Sequence, residues 1–309
     1  MASAPGAQRN FAAMFQLIRV PQWVKNSFVF AAPLFAKELS DPDQLFRCCL
    51  AFLSFCLMAS GVYILNDIVD LSRDRNHPEK KNRPLASGAL TIPFARVLMA
   101  GLLVSAFAVA VFAGGFRLAL VLATYVLANL LYSYVFKHVV ILDVGFIAVG
   151  FVLRILAGAV ATSTSPSAWL ILCTINVSLF LGFAKRRAEV VSLGEDRHNH
   201  REVLAHYSVG FLDQMISVVT SSTLVCYILY TVDAHTVEYF GNRGFVATVP
   251  FVMYGIFRYL YLTYHRDEGG SPTRVVLTDP VFLINNLLWG IACVVILYWG
   301  NDIAALFER

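Results

Sequence analysis

The chain has 309 residues, of which 58% are hydrophobic and only 14% charged, with a formal net charge of +4 and a mean hydropathy of +0.66. Soluble domains carry about 25% charged residues, so an ordinary water-soluble globular fold is excluded. The small positive balance reads as a topology signal and not as a nucleic-acid interface, because the Lys and Arg residues gather in a few connections between apolar stretches.

In chain order, residues 1–18 lack the compact apolar core and small-residue cleavage site of a secretory leader. Phe11, Met14, Phe15 and Ile18 recur at i, i+3, i+4 and i+7, which predicts an amphipathic interfacial helix over residues 1–20. About nine stretches then reach the roughly 20 apolar residues that a spanning helix needs. They fall at 23–39 (short and interrupted), 43–65, 91–114, 116–136, 139–161, 167–184, 211–232, 244–264 and 279–299. The expectation is an all-α polytopic membrane protein, a single transmembrane domain over 1–309. An odd count puts the termini on opposite sides. Arg73, Arg75, Lys80, Lys81 and Arg83 in one connection, and Lys185, Arg186, Arg187, Arg197 and Arg201 in another, place the N-terminus in the cytoplasm and the C-terminus outside. Cys48, Cys49, Cys56, Cys173, Cys226 and Cys293 sit in apolar stretches without a C-x-x-C pair and read as packing thiols.

Two long, charged connections, 66–90 and 185–210, both follow even-numbered spans, as in two related halves facing one cavity, although no internal repeat is visible. The first begins Asn66-Asp67-Ile68-Val69-Asp70-Leu71-Ser72-Arg73-Asp74. Asp67, Asp70 and Asp74 stand at i, i+3 and i+7, so a helix presents all three carboxylates on one face, and Asn66 joins them four residues before Asp70. Massed carboxylates at a membrane boundary need a cation, and oxygen-only donors select a hard ion such as Mg²⁺, which keeps room for substrate phosphates. The plainer reading is a solvated loop in which Asp70 and Asp74 pair with Arg73, Arg75 and Lys80, contacts worth about 0–1 kcal/mol. The loop continues through His77-Pro78 to Lys80 and Asn82-Arg83-Pro84-Leu85, whose cations suit phosphate oxygens that a metal leaves exposed.

The N-D-x-x-D-x-x-x-D stretch, with Asn82-Arg83-Pro84-Leu85 and Gly88 behind it, resembles the signature of the UbiA superfamily of intramembrane prenyltransferases. The resemblance implies nine helices around a cavity open to the bilayer, with Mg²⁺ and a diphosphate at Asn66, Asp67, Asp70 and Asp74. Members typically carry a second acidic motif, D-x-x-x-D, after the sixth helix. Here that place reads Lys185-Arg186-Arg187-Ala188-Glu189 and keeps one carboxylate, Glu189. The plainer alternative for this run is cytoplasmic anchoring with an i, i+4 ion pair. Taken with Gln22-Trp23-Val24-Lys25-Asn26 and His77-Pro78, it resembles the branch of the superfamily that moves 5-phosphoribose from phosphoribosyl diphosphate (PRPP) onto a polyprenyl phosphate such as decaprenyl phosphate, for cell-wall arabinan precursors. The lead-in departs slightly from that branch, reading Arg19-Val20-Pro21 where Arg-Pro is expected.

That resemblance implies Asp67, Asp70 and Asp74 as the catalytic metal-holding acids. It implies Lys80, Arg83, Lys185 and Arg186, with Glu189, around the donor phosphates. By position, Lys25 beside Trp23 reads as a contact to the lipid phosphate, and Tyr63, one turn before Asp67, reads either as a second such contact or as an ordinary helix-packing tyrosine. Tyr132 and Lys137, from a family Y-x-x-x-x-K pattern, cover the donor, or else they are interfacial anchors. Arg154, deep in the fifth apolar stretch, is functional or a buried-pair residue, while His198 and His200 at i, i+2 do not share a helix face and read as loop residues. No Ser-His or Cys-His pair suggests a covalent route. The implied setting is the cell membrane with a cytoplasmic active face, with homo-oligomerisation left open. Two rivals remain: a UbiA-type prenyl transfer from a polyprenyl diphosphate to a small acceptor, and a transporter, which would need charge through the membrane depth.

Overall fold

The computed structural model describes residues 5–76, 80–194, 202–265 and 278–307, and every regular element among them is helical. The α-helices are α1 (Pro5–Ile18), α2 (Ala31–Phe35), α3 (Pro42–Val69), α4 (Leu71–Arg75), α5 (Ile92–Tyr134), α6 (Leu142–Ala161), α7 (Ala168–Leu193), α8 (Val209–Val232), α9 (Ala234–Phe240), α10 (Val249–His265) and α11 (Pro280–Phe307). Their starts are written in the sequence. The Asp41 side chain accepts from Asp43 N ahead of α3, and Thr91, Ser167 and Ser208 cap α5, α7 and α8 in the same manner, each meeting a helix-end N–H that has no partner inside the helix.

Seven helical segments of the described residues are long and apolar enough to cross a membrane, against the nine expected. The third and fourth expected spans run together in the 43-residue α5, which breaks at Gly114 and Gly115. Gly115 sits at φ 65° and ψ −158°, a conformation open in practice to glycine alone. The first expected span is no long helix: Val20–Phe30 winds as a 3₁₀ segment and leads into the short α2. The N-terminal helix does form as α1. It buries Ala13 and Leu17, one turn apart, and leaves Phe15 of the expected apolar stripe outward.

The chain forms two compact units. The first holds residues 5–33, 39–135 and 153–165, and the second holds 34–38, 136–152 and 166–307. In the first, Leu17, Ile64, Leu85 and Ala95 make a small core that ties α1, α3, α5 and the connection after α4 together. In the second, Val144, Phe180, Phe183, Leu204, Tyr207, Leu212 and Tyr259 are among the buried core residues.

One close approach fixes where the residues around Lys25 lie. The 3₁₀ segment packs so tightly on α6 that a Cβ at Gly158 would clash with the Val29 carbonyl oxygen. The indole of Trp23 donates to the Ser60 hydroxyl at 3.0 Å, which holds the other side of the segment on α3. Gly158→Ala is therefore expected to cost about 1–3 kcal/mol through overpacking, read as a lowered Tm in detergent. Gly101→Ala, where nothing lies within 4 Å of the added carbon, should leave Tm unchanged or raise it slightly. Equal melting of the two variants would refute the close packing.

Candidate active site

The first charged cluster forms where α3 stops. Val69 is its last residue, Asp70 has φ −88° and ψ 6°, and α4 begins at Leu71, so the acids do not share one continuous helix face as the spacing predicts. The bend brings Asp67 and Asp74 to one guanidinium, and both carboxylates are buried. Arg83 Nη1 donates to Asp67 Oδ1 at 3.0 Å and to Asp74 Oδ2 at 2.6 Å. Arg19 Nη2 donates to the same Asp67 Oδ1 at 2.5 Å, and its guanidinium lies over the Tyr63 ring, 4.9 Å from the centroid.

Arg83 reaches this place because the Asn82-Arg83-Pro84-Leu85 turn is plugged into the protein. Leu85 is buried against Leu17, Ile64 and Ala95. Ser87 N donates to Arg83 O at 2.9 Å and Leu90 N to Pro84 O at 3.0 Å, closing the loop on itself. Asn66 is fixed from the end of α5, accepting from the Ser133 hydroxyl at 3.1 Å, one residue from Tyr132. Lys80 opens the short turn Lys80–Asn82 and is exposed. His77 and Pro78 lie outside the described residues, as do Arg197, His198, His200 and Arg201.

Among the described residues no three His, Cys, Asp or Glu side chains converge closely enough to hold a metal ion. The three-carboxylate cage that the spacing predicts is thus not assembled in this conformation: α3 ends before Asp70, and the Arg83 guanidinium stands between Asp67 and Asp74. The donor chemistry nevertheless suits a hard cation. Asp67 and Asp74 are buried oxygen donors that demand positive charge, and a single nitrogen of Arg83 reaches both. A divalent ion would take over from Arg19 and Arg83 a charge-balancing role they already perform.

Further into the first unit, Lys25 and Asn26 on the 3₁₀ segment meet Arg154 on α6. Arg154 Nε donates to Asn26 Oδ1 at 2.8 Å, and Nη2 donates to the Tyr125 hydroxyl at 3.3 Å. Lys25 lies on none of the seven spanning helices. Its ammonium is half-buried, within electrostatic reach of the charges of Arg154 and Arg19.

The second charged cluster lies in the other unit. Arg186 is 1% exposed and Asp143 fully buried. Arg186 Nε donates to Asp143 Oδ2 and its Nη1 to Glu189 Oε2, each at 2.6 Å. The Tyr207 hydroxyl donates to Asp143 Oδ1 at 2.7 Å and accepts from Ile141 N, also at 2.7 Å. That second bond pins a β-branched residue at φ 71°, an uncommon conformation. Burial, the hydrogen bond to Asp143 and its charge all raise the Tyr207 hydroxyl above its usual value.

Arg186 is thus the centre of a buried charge network and is not presented to a donor phosphate as its motif implies; the reason is Asp143, which pattern reasoning passes over. The signal is available in the sequence, since an acid inside an apolar stretch demands a buried partner. Arg187 is also engaged, donating to Asp213 Oδ1 at 2.6 Å beneath the Tyr264 ring. Lys185, with 42% of its side chain exposed, stands 3.8 Å from Glu189 and is the most accessible cation of the run. Lys137 sits on the partly buried turn Phe136–His138.

Two melts separate structure from function here. Arg186→Gln is expected to cost about 3–5 kcal/mol by leaving Asp143 buried and uncompensated. Lys185→Gln should change stability by less than about 0.5 kcal/mol. Wild-type melting of Arg186→Gln would show that the network is not structural.

The profile of the UbiA prenyltransferase family matches residues 27–287. The chain is 31% identical over 290 residues to the decaprenyl-phosphate phosphoribosyltransferase of Corynebacterium glutamicum, covering 92% of this chain and 86% of that one. It is 32% identical over 300 residues to the Mycolicibacterium smegmatis protein of the same name, covering 92% of each. Among solved structures, a UbiA homolog from Archaeoglobus fulgidus bound to GPP and Mg²⁺ superimposes with a TM-score of 0.70 at 17% identity, over 92% of this chain and 99% of that one.

Proposed function

The chain belongs to the UbiA prenyltransferase family, and from that footing we propose that this multi-pass membrane enzyme transfers 5-phosphoribose from PRPP to a polyprenyl phosphate, decaprenyl phosphate being the named acceptor of its relatives. The observation that carries the choice of substrates is similarity along nine-tenths of the chain to relatives bearing that name. The cation-rich environment of Asp67 supports it, because Arg19 and Arg83 both reach that one carboxylate.

In the proposed reaction a phosphate oxygen of the lipid attacks C1 of the ribose. The new C1–O bond forms as the bond from C1 to the diphosphate oxygen breaks, and the diphosphate leaves with the electron pair. An ionised phosphate is already a nucleophile, so no general base is required and the task is to orient two anions and stabilise the leaving one. Asn66, Asp67, Asp70 and Asp74 would hold Mg²⁺, which when bound neutralises charge on the departing diphosphate. Arg83 is placed to exchange a carboxylate for a phosphate oxygen, and exposed Lys80 lies three residues before it. Tyr63 and Lys25 face the acceptor, and Tyr132 closes the α5 end of the same cluster. In the second unit Lys185 is the cation that its motif offers to a phosphate, Lys137 is the cation of the neighbouring turn, and Arg186 serves by holding Glu189 in place.

The charge pattern supports an N-terminus and two charged connections on the cytoplasmic face of the cell membrane, with the C-terminus outside. The product would supply lipid-linked pentose for cell-wall arabinan. Transfer of radiolabel from PRPP to polyprenyl phosphate by the purified protein should appear with Mg²⁺ and vanish with EDTA, and Asp70→Ala should abolish it while the protein still inserts and elutes normally. Consumption of a polyprenyl diphosphate with no labelled phosphoribosyl lipid would transfer the enzyme to ordinary prenyl transfer, and full activity of Asp70→Ala would remove the metal assignment.

A further inference from the structure

The proposed transfer uses the cluster at the end of α3 and does not use the positive charge that α6 buries beside Phe55, earlier in α3. Arg154 is 5% exposed and lies over the rings of Phe55 and Tyr125, at 5.6 and 5.1 Å from their centroids. Arg19 lies over Tyr63, roughly two turns of α3 beyond Phe55, and Asp67 follows one turn later. Lys25, half-buried, lies within electrostatic reach of both arginines. A line of cations therefore runs from the metal-type cluster into the apolar interior of the first unit.

Like charges gathered away from water raise one another's energy, so the fold must hold them there against repulsion. It does so with dedicated contacts. Asn26 Nδ2 donates to Cys56 Sγ at 3.2 Å, which leaves Asn26 Oδ1 turned to Arg154 Nε. The Tyr125 hydroxyl accepts from Nη2 on another edge of the guanidinium. Tyr125, in turn, stacks edge-on against Phe55 at 5.1 Å. Gly158, four residues after Arg154 and thus on the same face of α6, removes the side chain that would keep the 3₁₀ segment away. Asn26, Tyr125 and the two rings hold the guanidinium in this orientation.

We propose that Lys25, Asn26 and Arg154, braced by Tyr125, form a phosphate-monoester site, set further into the membrane part of the first unit than the diphosphate cluster at Asp67 and Asp74. Arg154 supplies a planar, always-charged donor array of the kind that matches phosphate oxygens, and Lys25 supplies a compact second charge. Two substrates of the transfer carry a monoester: the lipid acceptor at its headgroup, and PRPP at its ribose 5-position. The site rests on the transfer reading only for which of these it takes.

The test is isothermal titration of full-length wild type, Lys25→Gln and Arg154→Gln in nanodiscs with Mg²⁺ present, using four probes: ribose 5-phosphate, PRPP, a short-chain polyprenyl phosphate and inorganic pyrophosphate. Both variants are expected to weaken one class of monoester by about tenfold or more, roughly the loss of one charged contact, while pyrophosphate affinity stays within about twofold. Loss confined to ribose 5-phosphate and PRPP assigns the donor's 5-phosphate, and loss confined to polyprenyl phosphate assigns the acceptor headgroup. Unchanged monoester affinities in variants that elute and melt as wild type overturn the site, and so does an equal loss for pyrophosphate, which would merge it with the diphosphate cluster. Should Arg154→Gln fail to fold, the variant at the half-buried Lys25 decides alone. Binding does not depend on turnover, so a protein that makes no phosphoribosyl lipid but binds a monoester through Lys25 would lose the transfer reading and keep the site.

Discussion

Charge held among apolar helices must be compensated within hydrogen-bond reach, and the rest of this structure is arranged around that requirement. Each unit answers it with an arginine between two carboxylates. Arg83 joins Asp67 to Asp74, and Arg186 joins Asp143 to Glu189. The two arrangements look alike on paper and differ in access. Arg186 and Asp143 are sealed at 1% and 0% side-chain exposure, so breaking them leaves a buried charge with nothing to replace its partner. Arg83 keeps 29% of its side chain exposed while its carboxylates are buried, so solvent or a ligand can reach the cation and draw it away. Exposure of the arginine, more than the presence of an ion pair, separates the cluster that can exchange partners from the one that cannot.

Compensation also has to be delivered by the backbone, and here small features act at long range. Leu85 seats the loop that carries Arg83. The Ser60 hydroxyl accepts from Trp23 and lies 2.9 Å from the carbonyl oxygens of Ile18 and Cys56, to one of which it donates. This ties the end of α1 and the 3₁₀ segment to the middle of α3. Arg19, at φ 58°, turns the chain from α1 into that segment. A residue in the left-handed region costs energy that surrounding contacts must offset, and the ion pair to Asp67 and the stacking on Tyr63 are contacts of that kind.

Legibility in the sequence obeys the same physics. The apolar stretches mark the membrane class and six of the helices with little ambiguity, because hydropathy over roughly 20 residues is a local property. The Asp67, Asp70 and Asp74 spacing marks the first cluster, although it cannot reveal that the helix ends at Val69 and sets Asp70 at a bend. The α5 break is written as Gly114-Gly115 and reads as a loop between two spans. The segment around Lys25 reads as a short span because its apolar content is high, while its 3₁₀ winding and its packing on α6 at Gly158 are not visible in that content. Long-range pairs are the least accessible. Arg186 finds Asp143 and Arg154 finds Asn26 across 43 and 128 positions, and no periodicity encodes either. Arg19, which local spacing also fails to single out, meets Asp67 across 48 positions.

These pairings move the demand for a phosphate-rich substrate from one unit to the other. In sequence, the loss of the second acidic motif and the gain of Lys185-Arg186-Arg187 look like a surplus of positive charge awaiting anions. In the folded chain Arg186 is matched by Asp143 and Glu189, and Arg187 by Asp213, so much of that surplus disappears into the second unit. In the first unit Arg19 and Arg83 share the carboxylate of Asp67, and Lys25 and Arg154 lie beyond them, where Asn26 and Tyr125 orient the guanidinium. The proposed diphosphate with its metal would account for the cluster at the end of α3. It would not account for Lys25 on the 3₁₀ segment and Arg154 on α6, beside Phe55, where the proposed second phosphate group, held apart from the first, would match both their charge and their placement.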